Sequence, residues 1–223
     1  FVTQVADEGF TYEDFGNNDN GLPTPTPNLV RVDEEENTPQ DTLNALEQVI
    51  VPENDPRDLA ERLVGIENIP ELVLDPNAPY DVGDTKTFWV MDTDTNISNE
   101  KDTTLRYVTP HAYFWIGNNV DYDEEELFLL AEVFETKIYP TNREFFGSEW
   151  SPGVDGDPHI YIVYVPGLGG NVAGYFSPGD EVHPLASEYS NGHEMFMFNS
   201  DNTPLSANYT RGVLAHEFQH MIH

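Results

Sequence analysis

Apolar residues recur at three- and four-residue steps over 123–139, where Leu127, Leu130, Ala131, Phe134 and Ile138 make one stripe. That spacing predicts a helix with one buried face. Asp123, Glu124, Glu125 and Glu126 fill its first turn, where the helix dipole favours negative charge, and Pro140 is expected to end it. Residues 209–223 read as a second long helix. Three segments are rich in β-branched and aromatic residues instead. They are 87–91 (TFWVM), 103–116 (TTLRYVTPHAYFWI), expected as one strand that is bent or at a sheet edge at Pro110, and 195–198 (MFMF). The unbroken apolar run 160–165 (IYIVYV) predicts a strand buried on both faces. A polar loop is expected over 92–102. Strands interspersed with helices and ending on a helix predict an α+β (or α/β) domain over 81–223, a mixed sheet covered by helices.

The front of the chain differs. Residues 1–40 are acidic and broken by Asn, Gly and Pro, as a linker is. From Asp41 the pattern turns helical, with Leu43, Leu46, Val49 and Ile50 on one side. Asp55-Pro56 reads as a helix start, Asp as N-cap and Pro at the first helical position, with Leu59, Leu63 and Ile66 sharing a face. Residues 41–80 are thus expected to be a small helical pro-segment or pre-domain. The chain opens on Phe1 and stops at His223 inside a helical pattern, so a fragment truncated at both ends is expected.

Charge narrows the partners. With 41 acidic against 9 basic residues the formal net charge is −32, which repels nucleic acid and anionic membranes. No apolar run is long enough for membrane insertion. There is no cysteine, so a metal site must draw on His, Asp or Glu.

Residues 216–220 (HEFQH) supply such a set. Residues four apart on a helix sit one above the other, so His216 and His220 can aim at one zinc ion as metal ligands. Glu217 is turned from His216 by about 100°. Its carboxylate therefore stands beside the ion, placed to act as the catalytic general base toward water. Leu214, Phe218 and Met221 fall on the opposite side as a buried back, and Gly212 and Val213 leave room on the histidine side. His223 lies too far along the axis, about 10 Å from His216, to join them easily, and reads as a packing residue. His111, His159, His183 and His193 are isolated and read as structural or surface histidines. Two further clusters admit a calcium ion, Zn2+ and Ca2+ being the cofactors in question. Asp92, Asp94 and Asn96 read first as a polar hairpin loop, and Asp155 and Asp157 as a turn. The glycine-rich stretch 167–174 lacks the Lys-Ser/Thr of a phosphate loop and reads as a flexible loop near the cleft.

The run 212–223 (GVLAHEFQHMIH) resembles the HExxH helix of zincin metallopeptidases, in the gluzincin-type form of secreted bacterial hyicolysin-like peptidases. The metzincin pattern needs Gly where this chain has His223. The resemblance extends loosely over 122–150, 153–164 and 169–176, and covers the N-terminal half of such a catalytic domain. It implies a secreted zinc metalloendopeptidase with polypeptide substrates. It also implies a third ligand, a Glu on a later helix, and an oxyanion-stabilising Tyr or His, both past His223. By the same resemblance 195–198 is the edge strand that pairs with an extended substrate, an ordinary core strand being the alternative. This fragment alone is then expected to be inactive. Two other functions stay open: a non-catalytic zincin-fold binding module, and an acidic calcium-binding extracellular domain.

So large an unbalanced charge should repel itself, and salt should screen that repulsion within a Debye length of about 10 Å at 0.1 M. Thermal melting at rising sodium chloride checks this. The expected result is a climbing melting temperature, and a flat response up to molar salt would remove the reading of this charge as suited to high salt.

Overall fold

A computed structural model describes residues 55–223, together with Asn44. The linker expected over 1–40 and the helix expected from Asp41 lie outside the described residues. Asp55 does cap a helix, α1 (Pro56–Val64), its side chain accepting from the Arg57 amide. Gly65, in the left-handed conformation, closes it. The expected apolar face of α1 is not buried, because Leu59 and Leu63 stand exposed and only Ala60 is covered.

Six strands follow: β1 (Thr85–Asp92), β2 (Ile97–Val108), β3 (Ala112–Gly117), β4 (Ile160–Val165), β5 (Gly174–Phe176) and β6 (Met195–Asn199). They form one mixed sheet in the order β1-β2-β3-β4-β6-β5. β1, β2 and β3 pair antiparallel, β3, β4 and β6 run parallel, and β5 returns antiparallel on β6. The fold is α+β. The segment 103–116 is two strands rather than one bent strand. Pro110 sits in a tight reversal where Thr109 and Ala112 exchange hydrogen bonds, since proline has no amide for a ladder. The loop expected over 92–102 is also shorter, because β2 starts at Ile97.

The helix expected over 123–139 does not stop at Pro140. It runs as α2 (Glu124–Val133), a π-helical turn (Phe134–Ile138) and α3 (Tyr139–Phe146). Proline clashes with the carbonyl four residues back and offers no amide. In the wide turn the Tyr139 amide reaches back to the Phe134 carbonyl, and the chain carries on past the proline. Asp123 caps α2 by accepting from the Glu125 and Glu126 amides.

Both faces of the sheet are buried, as the run 160–165 requires. On one face Phe114, Ile116, Ile162, Phe196 and Phe198 meet Leu127, Leu130, Ala131, Phe134 and Ile138 of the helices. The last helix, α4 (Asn208–Ile222), joins the same core through Leu214, Phe218 and Met221, with Leu214 and Phe218 fully covered. The other face curls around aromatic residues: Phe88, Tyr113, Trp115 and Tyr161, with Tyr80 set edge-on among them. The curl brings the outer strands within reach of each other, for the Met91 amide of β1 donates to the Tyr175 hydroxyl of β5.

Truncating the fully buried Phe218 to Ala should cost about 3–5 kcal/mol in denaturant unfolding. Leu63→Ala on exposed α1 should stay within about 0.5 kcal/mol. Equal losses at the two positions would contradict the packing of α4.

Candidate functional site

α4 presents its two faces differently. Its back is anchored by Leu214, Phe218 and Met221, and Tyr139 of α3 lies parallel to the Phe218 ring at 5.5 Å. The Asn142 side chain donates to the Ala215 carbonyl at 2.7 Å, tying α3 to the turn just before His216. His216 and His220 therefore face outward, both exposed, their Nε2 atoms 3.0 Å apart. Glu217 turns inward and is only 6% exposed. Its Oε2 accepts from the backbone amide of Phe176 in β5 at 2.9 Å. Burial raises the Glu217 carboxyl above its ordinary range, and the neighbouring His216, the Phe176 amide and His220 pull it back.

A cleft of about 540 Å3 opens beside this pair. Gly212, Val213 and Tyr209 of α4 form one wall, and Val172, Ala173 and Gly174 the other. The glycine-rich stretch thus does border the cleft. β6, in contrast, is an interior strand flanked by β4 and β5, which corrects its reading as an edge. The edge nearest Glu217 is the three-residue β5, too short and glycine-led to register as a strand by pattern. A larger cavity of about 680 Å3 lies past the C-terminal ends of β3, β4 and β6, lined by Asp121, Asp123, Glu126 and Asp201. Its lining holds no histidine.

Two imidazole nitrogens holding one zinc at 2.0–2.1 Å in tetrahedral array stand about 3.3 Å apart. The 3.0 Å pair needs only a slight opening, so it fits two corners of such a site. Among the described residues no group of three or more His, Asp or Glu converges as a complete ligand set would. His223 turns elsewhere, edge-on to Phe146 at 5.8 Å. The other histidines have structural partners: His111 with Glu135, His159 with Asp157, and buried His193 with Asp155. His183 accepts from the Leu185 amide.

Both loops that admit a calcium ion take the turn form in which they are first read. Asp92 accepts from the Asp94 and Thr95 amides, and Asp94 from the Gly170 amide, so these carboxylates shape a hairpin turn. All four carboxyl oxygens of Asp155 and Asp157 are taken, by the Asp157 amide, His193, His159 and the Tyr113 hydroxyl.

In its geometry the cleft is a pair of outward imidazoles and one inward carboxylate on a helix packed against a mixed α+β sheet. No family model matches the chain. The neutral metalloprotease ShpI of Staphylococcus hyicus is 26% identical over 151 residues, 63% of this chain and 34% of its own length. The chain is thus a distant relative of a metalloprotease and matches about a third of that protein's length. Among the described residues no helix is long and apolar enough to cross a membrane.

Sequence patterns missed a group of buried acids. Glu194 is 3% exposed; its Oε1 accepts from the Val154 amide and its Oε2 has no partner. The carboxylate lies against Gly153, where an added Cβ would stand 1.7 Å from Oε2. Burial pushes the Glu194 carboxyl up to about 7 against the pull of the Val154 amide, with Asp155 and Glu149 adding to the rise. Glu181 is pushed up to about 8, by burial and then by Glu194 and Asp180. Between pH 4.5 and about 7 both carboxyls hold their protons when folded and release them on unfolding, since the ordinary value is 4.5. Their contribution is complete below pH 4.5 and is lost as pH rises through about 8. Denaturant midpoints should therefore fall across that window, and Glu194→Gln, which cannot ionise, should flatten the slope. A variant with the unaltered slope would remove Glu194 from the titration.

Proposed function

We propose that this protein is a zinc-dependent endopeptidase acting on polypeptides outside the cell, with His216 and His220 as zinc ligands and Glu217 as general base. The observation that carries the reading is the split orientation of α4: two outward imidazoles converge, His216 at the cleft, while the glutamate between them is held inward by the Phe176 amide. Zinc bound there supplies Lewis acidity, polarising a peptide carbonyl and acidifying water. His216 and His220 would hold two of its corners, and a further protein ligand comes from outside the described residues.

Glu217 sits one residue from His216 and one hydrogen bond from β5. A carboxylate so fixed can take a proton from water at the cleft and return it to the leaving amine. Its raised affinity for protons suits a base that must hold one between those steps. An extended substrate would lie along the outer edge of β5 by main-chain hydrogen bonds, with side chains entering the cleft between Val172 and Val213. This chain matches only about a third of the metalloprotease it is similar to, so the whole enzyme's activity is part of the proposal.

The test is metal analysis with casein hydrolysis on the full-length gene product. One zinc per chain is expected, lost in His216→Ala. Glu217→Gln should keep the zinc and slow hydrolysis by about 10²–10⁴-fold. Zinc retained without His216, or full activity without Glu217, would sink the reading.

A further inference from the structure

The wall of the cleft over 169–174 takes its shape from elsewhere in the chain. The tip of the β1–β2 hairpin reaches it across 75 residues, with the Thr93 amide and hydroxyl both donating to the Leu168 carbonyl at 3.0 and 2.8 Å. One step on, the Gly170 amide donates to Asp94 Oδ2 at 2.7 Å. Gly169 has φ +116°, and a Cβ there would stand 2.5 Å from the Thr93 hydroxyl. Glycine at 169 is therefore what lets the tip come this close.

From the other side Asn199, fully buried at the end of β6, donates through Nδ2 to the Gly169 and Val172 carbonyls, each at 2.8 Å. Asn202 and Thr203 add bonds to Val172 and Ala173. The wall is thus bonded on both sides, and it runs directly into β5, whose Phe176 amide holds Glu217. A continuous line of hydrogen bonds and short backbone joins the exposed hairpin tip to the carboxylate at the cleft.

We propose that the β1–β2 hairpin tip, through Asp94, is a positioning element for substrate: it fixes the wall 169–174 where a peptide lies against His216 and Glu217. This rests on the peptidase reading. Asp94 touches no reacting group, so its loss should loosen peptide binding and leave the hydrolytic step intact.

Asp94 is exposed, so Asp94→Ala should fold; Asn199→Ala, in the core, is less suited to the purpose. In the zinc-loaded full-length protein, with an internally quenched peptide, Asp94→Ala should raise KM roughly threefold to tenfold with kcat retained, the size expected for one lost hydrogen bond. Asp94→Asn keeps an acceptor for the Gly170 amide and should restore KM to within about twofold of the unsubstituted protein. Amide exchange over 170–176 should quicken in Asp94→Ala while β4 stays protected. An unchanged KM in Asp94→Ala, or an equal rise in Asp94→Asn, overturns the proposal, as does unaltered exchange over 170–176. Absence of hydrolysis by the unsubstituted protein overturns the peptidase reading instead, and amide exchange then decides the tether by itself.

Discussion

The Phe176 amide donates to a carboxylate that α4 has turned into the protein, and the open side of the molecule is organised around that bond. A buried carboxylate without a donor is costly, so Glu217 can point inward only if a strand brings an amide to it. β5 does so, and the bond fixes the distance between helix and sheet edge. With Glu217 held inward and Leu214, Phe218 and Met221 packed against the sheet, His216 and His220 have no place but the surface. Their convergence follows from helical spacing, but their exposure follows from what the rest of α4 buries.

Much of this frame could be read before any coordinates. The stripe Leu127, Leu130, Ala131, Phe134 and Ile138 is buried as one set, because a 3.6-residue period leaves few other uses for it. The run 160–165 is covered on both faces, as its lack of polar positions demands. The readings that failed did so where a local signal met a tertiary constraint. Pro140 looked like a stop, yet a π turn absorbs it, the Tyr139 amide reaching back to the Phe134 carbonyl, and the helix beyond it ties to α4 through Asn142. Residues 195–198 admitted an edge reading by resemblance and an ordinary core reading, because nothing in their own composition says which strands flank them, and the core reading is the one that holds. The true edge, Gly174–Phe176, is three residues long and defined by its neighbours.

The acidic composition reads differently once the bonds are known. Asp92, Asp94, Asp123, Asp155, Asp157, Asp180 and Glu194 all accept backbone amides, mostly within loops and caps. Side-chain carboxylates thus perform in the loops the task that ladders perform in the sheet. Where that supply of donors runs short, at Glu181 and at the second oxygen of Glu194, burial strengthens the carboxyl's hold on its proton instead. Their number could be counted from the chain, but which of them are solvated and which are structural could not.

The curl of the sheet has an effect on how the protein behaves among its own copies. An open strand edge is a template for pairing with another molecule, and long exposed edges invite fibrils. On β1 the Asn191 side chain bonds both the amide and the carbonyl of Trp89, as a neighbouring strand would, and Tyr175 covers the Met91 amide. That edge is sealed from within the same chain. The opposite one, β5, offers only three residues, enough to grip a short extended segment and too few to seed an aggregate.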